Sequence, residues 1–209
     1  ELAGPRSIQG PTDAKSLVDN HFSGWVYACA SRNAETITGC PLRLYVRGGT
    51  RNYYVRRSLS KAQAAHIEAV TGKAADTVDE VTDGHPLIEL LDFMNGEQTR
   101  TEVLEGTVTW QEITGDAYWY LEPGPLGMPG AIWPLMSQYT RVVRDGQGQL
   151  VGYLYGKTDR IALEASEVIH FRYPHPGNAD YGKSPLEAAF GAAQLLESQQ
   201  GYEQSMYDS

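Results

Sequence analysis

Between residues 116 and 172 the chain breaks into short runs of aromatic and β-branched residues, separated by Gly, Pro and Asp-Gly. The runs are DAYWYLEPG, AIWPL, YTRVVRDGQGQLVGYLYG, DRIAL and EVIHFRY. Side chains branched at Cβ are stiff in a helix and pack well on a pleated surface. Each run therefore reads as a strand, and RDGQGQ carries the turn chemistry of a hairpin. The stretch is expected to form a meander of antiparallel strands.

The residues before it are patterned differently. WVYACASRNAETI places Val26, Ala30, Asn33 or Ala34, and Ile37 at helical spacing with small residues between them, and Gly39 stops it. CPLRLYV alternates from Leu42 to Val46 and predicts a strand. RGGTRNYYVRR then predicts a turn and a second strand, paired with the first as a hairpin. A helix is expected from Ser60 to about Thr71. KAADTVDEVTDG reads as an acidic loop. Pro86 opens a short helix after His85. TRTEVLEGTVTWQEITG predicts another helix, with Thr99 as N-cap and Gly115 as its stop, although Val103, Val108 and Ile113 are imperfectly periodic. Helices followed by an antiparallel sheet make an α+β fold.

After the strands, Ser184 is a suitable N-cap, Pro185 fits the first helical position, and Glu187 completes a capping box. Leu186, Phe190, Ala193 and Leu196 then share a face, and helical spacing runs to Ser209. The organisation expected is a flexible N-terminal arm over 1–24, an α+β domain over 25–183, and the start of a long helix over 184–209. The chain opens without methionine and ends inside an element, so the natural protein is expected to be longer.

Charge narrows the function. The net charge is -9. Residues 1–60 carry eight bases and four acids, whereas residues 61–130 carry three bases and thirteen acids. A protein that grips DNA phosphates needs a basic face, and this composition argues against tight gripping. Cys29 and Cys40 are too few for a disulfide scaffold and form no CxxC, so both are expected as reduced thiols. No apolar run reaches the roughly 18 residues a membrane span needs, so no membrane partner is expected.

GNADYGKS, residues 177–184, has the spelling of a phosphate-binding loop, G-x-x-x-x-G-K-S. Four details oppose that reading. Pro185 has no N–H to offer a phosphate. Asp180 places a negative charge inside the anion nest. Pro174 and Pro176 separate the strand from Gly177. No parallel βαβ unit surrounds the segment. The competing reading makes Gly177 and Gly182 a turn, and Ser184 a helix cap.

Other chemistry is sparse. His170 and His175 do not by themselves make a metal site, which wants three or four ligands. Ser184 has no G-x-S-x-G elbow around it. The acids of 76–83 and 97–105 read as solvated faces. Thirteen tyrosines and four tryptophans, without a basic groove, suit a sheet face and subunit contacts better than base stacking. Neither a catalytic residue nor a cofactor is expected.

Six segments in order resemble the portal (head–tail connector) proteins of tailed double-stranded DNA bacteriophages and their prophages. WVYACASRNAETITGCPLRLY looks like the family's early helix and Pro-Leu strand. HPLIELLDFMN resembles its His-Pro-Leu segment, with Met94 where proline is usual. TRTEVLEGTVTWQEITGDAYWYLE is similar to the helix leading into its Gly-Asn-Ala-Tyr strand, with Gly115, Ala117 and Tyr118 in place and Asp116 for asparagine. AIWPLMSQYTRVVRD resembles its leucine, proline, then valine stretch, with the proline displaced to Pro134 and Ser137 a further departure. EVIHFRY matches its Val-Ile-His strand through His170. YGKSPLEAA matches its Gly-x-Ser-Pro-Leu helix start through Gly182, Ser184, Pro185 and Leu186. In this resemblance Lys183 is incidental.

The resemblance implies a wing-like portion of a subunit in a twelve-membered ring at one capsid vertex. Such a ring is the conduit for DNA during packaging and ejection. Implied partners are further copies of the chain, terminase, major capsid or scaffold protein, a head–tail adaptor, and double-stranded DNA passing through without sequence recognition. The implied location is the virion, with the bacterial cytoplasm during assembly. Ring closure needs two different complementary patches, and Arg43, Arg47 and Arg56 are candidate interface charges. A P-loop nucleotide-binding enzyme using Gly177–Ser184 stays open as the alternative, as does a monomeric interaction domain.

Overall fold

A computed structural model describes residues 11–22, 24–47, 55–72 and 78–189. Its contacts divide the chain into two units, residues 40–100 and residues 1–39 with 101–209, where the sequence reading draws one domain over 25–183. The α+β class holds, with helices and antiparallel sheets.

The unit of residues 40–100 carries a three-stranded sheet of order β1-β3-β2, formed by β1 (Leu44–Arg47), β2 (Val55–Ser58) and β3 (Val78–Asp83). The expected β1–β2 hairpin does not form, because β3 lies between them and pairs antiparallel with both. The segment read as an acidic loop is thus the central strand. Glu80 finds basic neighbours there: Arg57 lies opposite it in register on β2, and Arg43 Nη1 reaches its Oε1 at 3.0 Å. Val81 and Glu80 are both buried. Helix α3 (Lys61–Thr71) begins at a Ser60–Gln63 capping box and ends at Gly72 in the left-handed region. Helix α4 (Pro86–Asp92) starts at His85, whose Nδ1 accepts from the Leu87 N–H at 3.1 Å.

In the other unit, α1 (Pro11–His21) is helical inside the stretch expected as an arm, and it lies against the turn Ser137–Tyr139. Helix α2 (Gly24–Thr38) buries Ala30 and Ala34, as its small-residue spacing predicts. Helix α5 (Arg100–Thr114) buries Val103, Val108 and Ile113. Threonines fill the gaps in that pattern. Thr107 Oγ1 donates to the Val103 carbonyl and accepts from Trp119 Nε1 at 2.7 Å. Polar residues that bury their hydroxyls on backbone and indole explain the imperfect apolar period.

Six strands follow: β4 (Asp116–Pro123), β5 (Pro129–Leu135), β6 (Thr140–Arg144), β7 (Leu150–Tyr155), β8 (Ile161–Glu164) and β9 (Val168–Arg172). They form two sheets instead of one continuous meander, with orders β5-β4-β9 and β6-β7-β8. Strand β9 returns to pair with β4, setting Tyr118 opposite His170 and Asp116 opposite Arg172. The turn between β6 and β7 is the one the sequence signals, with Asp145 Oδ1 accepting from Gln147 and Gln149 N–H groups. Tyr118, Leu135, Tyr153 and Val168 form the core joining the two sheets. The helical turn 185–189 closes the described residues, so Phe190, Ala193, Leu196 and the expected long helix lie outside them.

Candidate functional site

The residues singled out from 115 to 186 converge on one place, the junction where α5 ends, β4 begins and the chain enters the helical turn 185–189. Gly115 stops α5 with φ +84°. Its carbonyl accepts from the Tyr173 N–H at 2.9 Å. Gly182 lies against it so closely that a β-carbon on Gly182 would sit 2.0 Å from the Gly115 oxygen. A glycine is required on both sides of this approach.

Asp116 ties three elements together. Its Oδ1 accepts from His170 Nε2 at 2.7 Å and from the Gly182 N–H at 2.8 Å. Its carbonyl accepts from Ser137 Oγ at 2.7 Å and Thr114 Oγ1 at 2.8 Å. The His170 ring stacks on Tyr118 with centroids 4.3 Å apart, and Tyr153 meets both rings edge-on. Buried polar groups are costly unless bonded, so this web holds its members in one arrangement.

Ser184 completes the knot. It is buried, donates its hydroxyl to the Ile113 carbonyl at 2.6 Å, and accepts from the Glu187 N–H at 2.9 Å. One side chain thus ties the end of α5 to the start of the following helix. Only this half of the expected capping box forms, because the Glu187 carboxylate pairs with Lys183 at 2.7 Å. Pro185 takes the first helical position and Leu186 is buried. Along β4 the side chains alternate. Ala117 is buried on the face where Trp119 meets α5, and Tyr118 on the face toward the knot.

The phosphate-loop spelling takes a form that leaves little room for a nucleotide. Five backbone N–H groups of the loop already donate within the protein. Gly177 and Asn178 donate to His175, Asp180 and Tyr181 to Asn178 Oδ1, and Gly182 to Asp116. The carboxylate of Asp116 occupies the position an anion would need. Asp180 pairs with Arg144, and Lys183 with Glu187. Strand β9, which leads into the loop, is antiparallel to β4.

Burial pushes the Tyr118 hydroxyl well above its ordinary value of 10.0, with the Asp116 charge adding to it. Tyr181 is also raised, chiefly by burial. Among the described residues no group of three or more metal-ligating side chains occurs, and no helix is long and apolar enough to cross a membrane. His175 accepts from Gly177 through Nδ1 and stands apart from His170 in its bonding.

Arg43, Arg47 and Arg56 belong to the unit of residues 40–100 and take no part in the knot. Arg43 is paired with Glu80, and the side chains of Arg47 and Arg56 lie outside the described residues. Sequence reasoning noted Asp116 and Ser137 only as departures from the family pattern, and missed Thr114. The helix-stop glycine directly before Asp116 was the available signal, because a side chain there meets whatever packs on the turn.

The family model described as "Phage portal protein" matches residues 55–209. Among solved structures, a chain of the neck of an empty gene transfer agent (GTA) particle, computed with C6 symmetry, superposes with TM-score 0.70 at 21% identity. That match covers 99% of this chain and 48% of the other. A chain of the native particle's neck, computed with C12 symmetry, gives TM-score 0.69 at 20% identity over 98% of this chain and 47% of its own length. A chain of the native GTA virion gives 0.67 at 21% identity, covering 99% and 46%. The chain therefore spans about half the length of the solved chains it matches. No curated protein gives a significant match.

Proposed function

The chain belongs to the phage portal protein family, a family of structural proteins, and from that membership we propose that it is a ring subunit at one vertex of a virion. The ring serves as the conduit for DNA during packaging and ejection, and as the docking platform for a terminase motor and head–tail adaptors. The observation that carries this reading is the family match over residues 55–209, three-quarters of the chain. The matched solved chains come from particle necks with C6 and C12 symmetry, which supports a twelve-subunit ring. Assembly takes place in the bacterial host cytoplasm.

The chemistry of the chain suits a conduit. DNA bound through many phosphate contacts moves only by breaking them, and a net charge of -9 disfavours such contacts. The knot at Asp116 is scaffolding that fixes how the last helix leaves the sheet. In this reading the chain has no catalytic role and no cofactor, because the groups that would hold phosphate are engaged within the protein. Ring closure joins two different patches, and Arg47 and Arg56 are our candidates for its charged side. Arg43 is already committed to Glu80.

Electron microscopy of the protein at its natural length tests the proposal. Annular particles with twelve-fold symmetry are expected. A uniform population of monomers at every concentration, or saturable ATP binding that depends on Lys183, would refute it.

A further inference from the structure

Beside the knot lies a cleft of ≈ 290 Å³ whose polar groups the knot does not use up. Ala14 and Leu17 of α1 form an apolar wall, and Asp116, Tyr118 and Tyr181 line it further. Tyr118 is 1% exposed, and it lines the cleft, so what surface its hydroxyl keeps faces that space. Asp116 is 5% exposed. Its Oδ1 serves both His170 and Gly182, while Oδ2 takes no hydrogen bond from the described residues. The Tyr181 oxygen accepts from the Val142 N–H and keeps a lone pair and a proton for another partner.

The cations nearby are held elsewhere. Arg172 donates to the Ala179 carbonyl, Arg144 pairs with Asp180 and donates to the Gly148 carbonyl, and Lys183 pairs with Glu187. Glu187, His175 and Asn178 also line the cleft, but Glu187 is paired with Lys183, His175 Nδ1 accepts from Gly177 and Asn178 Oδ1 accepts from Asp180 and Tyr181. The acceptors left to a ligand are Asp116 Oδ2 and the Tyr118 and Tyr181 oxygens, with an apolar wall beside them. An anion would meet the Asp116 charge. A cationic nitrogen on a methylene stem fits both surfaces, the head group on the acceptors and the stem along Ala14 and Leu17.

We propose that this cleft binds a guanidinium or primary ammonium head group, with Asp116 Oδ2 as its counter-charge and the Tyr118 and Tyr181 oxygens as acceptors. The head group is carried either by a small free amine or by a basic side chain of another protein segment. The inference is independent of the portal reading.

Calorimetric titration of the chain with agmatine, and separately with a capped Gly-Arg-Gly peptide, tests it. Saturable binding of one or both is expected. Tighter binding of the peptide identifies a protein side chain as the source, and tighter binding of agmatine a free amine. In Asp116→Asn the amide oxygen still accepts from His170 and Gly182, so the knot persists while the charge goes. Binding should fall by about tenfold or more, the effect of losing an ionic hydrogen bond. Tyr118→Phe, which keeps the ring stack, should weaken it several-fold. Absence of saturable binding by either probe, affinity unchanged in Asp116→Asn, or tighter binding of inorganic phosphate than of agmatine would overturn the proposal.

Discussion

The α-carbon of Gly182 lies so near the Gly115 carbonyl that a β-carbon there would sit 2.0 Å from its oxygen. The reverse is also true, since a β-carbon on Gly115 would sit 2.7 Å from the Gly182 carbonyl. Two backbone segments 67 positions apart thus touch with no side chain between them. That contact carries the Gly182 N–H to Asp116 and the Ser184 hydroxyl to Ile113.

Gly182→Ala should destabilise the fold by about 3 kcal/mol or more, because backbone and not a flexible side chain must move aside. Gly177→Ala, whose β-carbon would meet only the His175 ring at 3.3 Å, should cost less than about 1 kcal/mol. Denaturant melts of the two variants separate them. Equal costs would show that the close approach is not what demands glycine.

Ser184→Ala removes the donor to the Ile113 carbonyl and the acceptor for the Glu187 N–H together. A loss of about 2 kcal/mol is expected from a buried hydrogen bond and a lost cap. Thermal melts followed at the helical dichroism band measure it. Ser184→Thr, which keeps the hydroxyl, should recover part of the loss.

Lys183→Ala should leave stability within about 0.5 kcal/mol, because its pair with Glu187 is solvent-exposed on both sides and such pairs contribute little. Assembly should be equally indifferent. A large loss of either would return the lysine to a functional role.

Arg43→Glu would face a buried Glu80 with a second carboxylate. A loss of about 1–2 kcal/mol is expected from a broken, half-buried pair. It should appear in the melt of the isolated subunit, before any effect on assembly. An unchanged subunit melt with failed assembly would make Arg43 an interface residue instead.

Buried and half-buried tyrosines set an alkaline limit. Tyr118, Tyr153, Tyr173 and Tyr181 are all raised above 10.0, with desolvation as the largest cause in each. Above about pH 10 the unfolded chain releases these protons while the folded one retains them, so stability falls as pH rises. Below that pH their contribution is fully present. Spectrophotometric titration should show part of the tyrosinate signal appearing only with unfolding, and Tyr118→Phe should make the decline shallower.

Much of this arrangement was legible along the chain. Gly115 as a helix stop, Ser184 with Pro185 as a helix start, and the strand runs around Tyr118 and His170 all depend on near neighbours. Such signals act through backbone angles and the first turn of a helix. β3 was misread because Asp79, Glu80 and Asp83 look solvated until the strands bearing arginines are placed beside them. α1 was read as an arm because its eleven polar-rich residues gain their order from the turn at 137–139.

By its sequence alone the chain determined where α5 stops and the helix after Ser184 starts, that its strands are antiparallel, and that the glycine–lysine–serine string precedes a capped helix. Local geometry and hydrophobic period act within a few residues and need no distant partner. Only the tertiary structure decided that β9 returns to β4, that Asp116 receives both His170 and the Gly182 amide, and that the glycine pair must be bare. Those outcomes depend on which surfaces meet, and the meeting of residues more than fifty positions apart is set by the packing of the whole unit, not by any run along it.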